Sequence, residues 1–173
     1  PIDKNDFSFS AGNNKISFDG VFMAIHGTPG EDGILQAYFD LLNIPYNCCG
    51  SFEASLTFNK GMCNSLLKNF NITSAKAIMI NKEEAYDTQA IENNIGLPCF
   101  VKPNRSGSSF GVSKVTASEQ WEQAIKEAFK YDNQVLIEAF IDGIEVTCGL
   151  IENEGELIAL PPVSYTHLRA HET

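Results

Sequence analysis

Apolar residues recur along the chain in short runs separated by glycine-, proline- and asparagine-rich turns, and the period within each run indicates an element. GVFMAI (20–25) is a β-branched and aromatic run that reads as a strand and ends at the glycine-rich turn HGTPGEDG (26–33). In ILQAYFDLL (34–42), Ile34, Leu35, Tyr38, Leu41 and Leu42 keep helical spacing. Strand, glycine turn and helix begin an α/β unit, which Pro45 and the NCCG turn (47–50) close. Phe52, Leu56, Cys63, Leu66, Leu67 and Phe70 predict one helix over about 52–70. A strand at 75–80, a helix near 84–94 and a strand at 98–102 follow. VSKV (112–115) reads as a further strand. Thr116 and Glu119 form a capping-box pattern before a helix bearing Trp121, Ile125, Ala128 and Phe129. QVLIE (134–138) is a buried strand by its apolar run, and EVTCGLI (145–151) and ELIAL (156–160) are two more, joined by the turn ENEG.

These elements predict a mixed α/β (α+β) protein in parts: a partial N-terminal α/β piece over 1–48, a middle α+β subdomain over 49–138, and the first strands of a third part over 139–162. Strands 98–102 and 112–115 are expected to pair as an antiparallel hairpin with a long glycine–serine loop. The last residues, VSYTHLRAHET (163–173), break the style of the chain and resemble a sequencing adapter translated in frame. They are set aside as a non-native tail. With them goes the i, i+4 pair His167 and His171, which would otherwise imitate a metal-binding helix. His26 is then the remaining histidine.

Composition narrows the function. The apolar fraction of 43% in 173 residues is that of a folded globular protein. A net charge of −10 argues against a nucleic-acid or membrane-surface binder, which would need a basic face. It leaves room for a phosphorylated small ligand held by a few placed lysines. No run approaches the roughly 20 apolar residues of a membrane helix. PIDKNDFSFS has neither the basic flank nor the apolar core of a signal peptide, and the missing initial Met suggests a chain that begins inside its gene. Cys48, Cys49, Cys63, Cys99 and Cys148 form no CxxC pair, so reduced, buried thiols and a cytoplasmic location are expected.

The loop after Lys102 decides between functions. Pro103, Asn104, Gly107 and Gly111 favour turns, and Ser106, Ser108 and Ser109 add hydroxyls. Such a loop is either a plain surface hairpin or an anion cradle of backbone N–H groups, with Lys102 supplying positive charge at its base. It matches neither the Walker pattern nor GxGxxG.

Four stretches occur in a telling order: HGTPGEDGILQA (26–37), ASLTFNK (54–60), GLPCFVKPNRSGSSFGVSKV (96–115) and VLIEAFIDGIEVT (135–147). Together they resemble the D-alanine–D-alanine ligases, which have the ATP-grasp fold, over residues 20–162. The resemblance implies a ligase that uses ATP, with Mg2+ (or Mn2+), to phosphorylate one D-alanine and join it to a second through an acylphosphate, for peptidoglycan. It implies that Lys60 and Lys102 contact the phosphates of ATP, and that the loop with Ser106, Gly107 and Ser109 closes over them. Ser108 would orient the substrate and a catalytic Glu. Glu138 would take the adenine amino group, Phe140 and Ile141 would line the adenine slot, and Glu145 would bind the ribose. His26 and Glu31 would form the first D-alanine's pocket. The residue before Lys60 is Asn59, where the family usually shows Asp.

The same resemblance places the catalytic Glu before Pro1. It places the metal ligands, the phosphoryl-stabilising Arg and the catalytic Tyr after residue 162, so the chain alone is expected to be inactive. The complete enzyme is expected to be a homodimer acting on small molecules, with no nucleic-acid or membrane partner. Two other readings stay open: a D-alanine–D-lactate or D-alanine–D-serine ligase, and a non-catalytic nucleotide-binding module. Ser108 and His26 speak against the module, since a pure nucleotide binder needs neither.

Overall fold

A computed structural model describes residues 1–164. Pro1–Phe140 forms one compact unit, and the chain from Ile141 forms a second.

The first unit opens with strands β1 (Ile2–Asp3), β2 (Ser8–Ala11) and β3 (Asn14–Ile16), a small antiparallel sheet in that order. Helix α1 (Ile34–Leu42) forms over the expected residues, but it buries Gln36 and Phe39, while Ile34 and Leu41 of the expected apolar set are exposed. The expected strand at 20–25 does not form. Only Val21 pairs, in an isolated parallel bridge to Tyr46. An apolar run becomes a strand only where a neighbouring strand takes its backbone groups, and among the described residues this run has one such partner.

The single helix expected over 52–70 is two, α2 (Ser51–Phe58) and α3 (Lys60–Asn69). They are separated by Asn59, which leaves the helical region at φ −87° and ψ 91°, and its side chain accepts the Met62 N–H. An asparagine side chain competes for backbone donors in this way and restarts the helix as an N-cap.

Strands β4 (Ala77–Asn81), β5 (Cys99–Pro103), β6 (Ser113–Val115) and β7 (Gln134–Ala139) form one antiparallel sheet in the order β4–β7–β5–β6, with α4 (Thr88–Ile95) and α5 (Trp121–Ala128) between them in the chain. Hairpin β5–β6 pairs Cys99 with Val115 and Val101 with Ser113, as expected. One face of the sheet is the core: Ile80, Cys99, Val101, Val115, Val135 and Ile137 pack against Ile91 and Ile95 of α4 and Trp121, Ala124, Ile125 and Ala128 of α5. Each large apolar side chain buried there contributes about 1.5–3 kcal/mol. The start of α5 is capped differently from the expected Thr116–Glu119 box. The Gln120 carbonyl oxygen Oε1 accepts the N–H groups of Thr116 (2.7 Å) and Ala117 (3.2 Å), because a 3-10 turn at Ser118–Gln120 brings Gln120 back over the chain.

The second unit holds β8 (Val146–Thr147), β9 (Leu150–Asn153), β10 (Glu156–Ala159) and β11 (Val163–Ser164). β9 and β10 form the hairpin expected at 152–155. The single strand expected at 145–151 is split, because β8 pairs instead with β11. Beyond Ser164, the tail with His167 and His171 lies outside the described residues. All five cysteines are free, but only Cys99 is buried. Cys48, Cys49 and Cys148 are exposed, since they sit in connecting segments rather than on a core face. Among the described residues, no helix is long and apolar enough to cross a membrane.

Candidate functional site

The face of the β4–β7–β5–β6 sheet turned away from the core carries the chemistry. Side chains alternate along a strand, so burying Cys99, Val101 and Pro103 sends Phe100 and Lys102 to the other side. There the register sets Phe100 opposite Glu138 and Lys102 opposite Leu136 on β7. Lys102 Nζ donates to Glu138 Oε2 in a partly buried ion pair, and Asn64 Nδ2 of α3 donates to Glu138 Oε1 at 3.0 Å. The Phe140 ring lies 6.0 Å from that of Phe100, and Lys114 Nζ sits 4.1 Å above it. Within the first unit, Lys102, Glu138 and Phe140 are thus gathered on one face.

Helix α3 lies over this face because Gly61 lets it approach. A Cβ there would stand 3.2 Å from Met79 Sδ and 3.8 Å from Leu136 Cδ1. The close approach brings Lys60, at the first turn of α3, to the base of the hairpin loop. Its Nζ donates to Ser106 O (2.6 Å) and Asn104 O (3.3 Å). Burial pushes the Lys60 ammonium below its ordinary value, and the Lys102 charge pushes the same way, while Glu138, Asp132 and Glu31 oppose both. Lys102 is already paired with Glu138, whereas Lys60 has only carbonyl acceptors among the described residues, so an anion reaching Lys60 would relieve the cost of burying its charge.

The loop itself is built for close approach. Ser108 and Ser109 adopt left-handed backbone, at φ 48° and 57°, and Gly111 stands at φ 71°. Gly107 lies against the glycine turn: a Cβ on it would meet Glu31 Oε2 at 2.8 Å. Glu31 Oε2 in turn accepts the Gly27 N–H at 2.5 Å, and His26 Nδ1 lies 3.8 Å from Glu31 Oε1. His26 and Glu31 line a cavity of about 460 Å³ with Ile25, Gln36 and Cys49. Hairpin loop and glycine turn therefore meet at Gly107 and Glu31. Ile141 and Glu145 belong to the second unit, where both are exposed.

Three contributors were not legible as site residues in the sequence. Asn64 had a local signal, since it lies one helical turn after Lys60 on the same face. Arg105 makes a bidentate pair with Asp132, Nε to Oδ2 at 3.2 Å and an Nη to Oδ1 at 2.9 Å, while its backbone N–H donates to Oδ2 at 2.7 Å. Asn104 is fully buried between Asn59 and Gln134. Asn59 also proves equivalent to an aspartate in one respect: its Oδ1 accepts from both Met62 N and Asn104 Nδ2, which a carboxylate oxygen would do as well.

Comparison with known proteins gives the family. The model of the D-ala D-ala ligase C-terminus matches residues 66–167, and that of the D-ala D-ala ligase N-terminus matches residues 2–49. A D-alanine–D-alanine ligase of Flavobacterium johnsoniae is 50% identical over 161 residues, which is 93% of this chain and 50% of that protein. The solved D-alanyl-alanine synthetase A of Vibrio cholerae superposes with a TM-score of 0.85 at 29% identity, covering 95% of this chain and 51% of that one. The VanG D-Ala:D-Ser ligase of Enterococcus faecalis does so at 0.79 and 36% identity, covering 87% and 44%. The chain spans about half the length of the curated relatives it matches. With two matched family models and a relative 50% identical over 93% of the chain, the chain belongs to the D-alanine–D-alanine ligase family and shares its ATP-grasp fold.

Proposed function

We propose that this chain carries the ATP-gripping part of a D-alanine–D-alanine ligase that makes the D-Ala-D-Ala dipeptide for peptidoglycan. The observation that supports this most directly is the convergence of Lys60 and Lys102 at the base of the 106–111 loop, on a face that also presents Glu138 and Phe140. Lys60 and Lys102 bind the phosphates and stabilise the charge that shifts during phosphoryl transfer. Glu138 exchanges its Lys102 bond for the adenine amino group, and Phe140 and Ile141 border the base. Glu145 takes the ribose hydroxyls. Ser106, Gly107 and Ser109 cover the phosphates and keep water from the acylphosphate. Ser108 faces the first D-alanine, whose pocket is formed by His26 and Glu31.

Mg2+ or Mn2+ bound with the nucleotide would neutralise phosphate charge. The described residues contain no group of three or more His, Cys, Asp or Glu that could hold a metal. Its ligands are assigned beyond residue 162 on the family resemblance alone. In this reading residues 1–48 contribute to substrate binding, 49–138 form the middle ATP-grasp part and 139–162 begin the C-terminal part. The reaction takes place in the cytoplasm, and the complete protein pairs with a second copy of itself.

The full-length gene product tests the reading. ATP-dependent phosphate release that requires D-alanine and yields the dipeptide is expected, with D-lactate and D-serine as much poorer acceptors. Preference for either of those acceptors would replace the reading with the corresponding ligase, and ATP binding without turnover on any acceptor would reduce it to a nucleotide-binding module. The 173-residue chain by itself is expected to give no turnover.

A further inference from the structure

We propose that Asn104 is a positioning residue that sets Lys60 at the neck of the loop by capping α3 from the end of the neighbouring strand β5. The inference rests on the reading of Lys60 as a phosphate contact. Asn104 is fully buried and every polar atom it has is used. Its Oδ1 accepts the Gly61 N–H at 2.8 Å, one of the first-turn donors that a helix cannot satisfy by itself. Its Nδ2 donates to Asn59 Oδ1 at 2.9 Å and to Gln134 Oε1 at 3.1 Å. Asn59 is the N-cap of the same helix, so one asparagine side chain holds both residues that flank Lys60.

The backbone completes the clamp. Asn104 N–H donates to Gln134 O at 2.9 Å, and Asn104 O accepts from Lys60 N at 3.3 Å. Lys60 Nζ also reaches that oxygen, at 3.3 Å. Gln134 is fixed in turn, its Nε2 donating to Asn81 Oδ1 at 2.9 Å. The start of α3 is therefore registered to strands β4, β5 and β7 through amide groups alone. Asn104 lies two residues after Lys102, so the same residue couples the two lysines. A short hydroxyl or an apolar side chain at 104 could not donate twice and accept once in this geometry. The helix start would then lose its fixed register, and with it the geometry of the 2.6 Å bond from Lys60 Nζ to Ser106 O.

The test uses the 173-residue chain with isotope-labelled lysines. The titration of the Lys60 ammonium is followed by NMR, its signal assigned with Lys60→Arg, alongside calorimetric titration with inorganic tripolyphosphate. Asn104→Ser is expected to move the Lys60 titration up toward that of an exposed lysine and to weaken tripolyphosphate about tenfold. No further loss is expected when Lys60→Ala is added, whereas Lys60→Ala alone should cost as much as the pair. If Asn104→Ser does not fold, Asn59→Ala removes the acceptor through which Asn104 holds the helix start and should give the same upward shift. An unchanged Lys60 titration in a folded variant, or losses that add in the double variant, overturns the proposal. A shifted titration with tripolyphosphate binding that ignores Lys60→Ala would support the positioning role and refute the phosphate reading instead.

Discussion

Lys102 and Glu138, on adjacent strands β5 and β7, form an ion pair across the sheet face where the adenine and phosphate readings overlap. Their side chains are 21% and 14% exposed, so the pair is partly shielded from solvent. A nucleotide that uses both residues must separate them, giving its amino group to Glu138 and its phosphates to Lys102. The pair therefore competes with the ligand at both ends.

Replacing Glu138 by Ala should divide these two effects. The variant loses a charged hydrogen bond to adenine, worth about 1.5 kcal/mol or more, so ATP affinity is expected to fall about tenfold. Lys102 loses its internal partner, so inorganic tripolyphosphate should bind as well as before or better. Calorimetry with both ligands checks this. Unchanged ATP affinity would remove Glu138 from the adenine site.

Local signals carried part of this site in the sequence, and non-local ones hid the rest. Helix 34–42 and the hairpin at 98–115 were legible because amphipathic spacing and turn composition are local properties. Lys102 stood out at the end of an apolar strand. Its partner did not, because the pairing of Lys102 with Glu138 depends on β7 lying beside β5, a register that no short window contains. Asn104 reads as one more turn residue, and its burial comes from Asn59 and Gln134, 45 and 30 positions away. The break at Asn59 was masked by an apolar period that continues across it. The sheet of β1, β2 and β3 escaped because its strands are two to four residues long and mostly exposed.

Phosphate binding should weaken in alkali sooner than an ordinary lysine would allow. Burial and the Lys102 charge lower the Lys60 value below 10.5 in the free protein. A bound anion favours the charged form and raises it again. Binding therefore takes up a proton above the free-protein value, and affinity falls as pH rises through that value towards 10.5. Stability of the free chain moves the other way over the same window: the unfolded chain holds more protons there, so stability rises with pH. Tripolyphosphate affinity measured from about pH 7 to 10 checks the first statement. Lys60→Arg, whose charge persists throughout, should flatten the curve.

Arg105 and Asp132 fasten the start of the loop. Asp132 is 6% exposed, and Arg105 is 47% exposed. Burial alone would raise the Asp132 value, but the bonds from the Arg105 side chain and backbone outweigh it and hold it below 3.8. The pair thus stabilises the fold above about pH 4, and the contribution disappears as pH falls through the lowered value. Arg105→Ala is expected to cost about 1–2 kcal/mol at neutral pH, reduced from a fully buried pair because the guanidinium is half exposed. Urea unfolding of wild type and variant at neutral pH and near pH 3 should show the difference shrinking in acid. Arg105→Lys should restore little, since a lysine cannot donate twice in one plane.

Two glycines at nearly the same backbone angle should respond unequally to an added methyl. Gly27 and Gly111 stand at φ 69° and 71°, so alanine at either position meets the left-handed penalty of about 1–2 kcal/mol. Gly27 has open space where a Cβ would go, and the penalty ends there. At Gly111 the same atom would lie 2.6 Å from Tyr131 Cδ2 and 2.8 Å from Pro103 Cγ. The Pro103 ring cannot yield easily because it is buried in β5, whereas the Tyr131 ring, tilted 6.2 Å from that of Phe110, is half exposed. Overpacking of this kind adds roughly 1–3 kcal/mol. Denaturant unfolding should therefore place Gly111→Ala below Gly27→Ala by at least about 1 kcal/mol. Equal losses would mean that the loop end at Gly111 shifts freely away from Tyr131, and that the close packing there does not hold the hairpin in place.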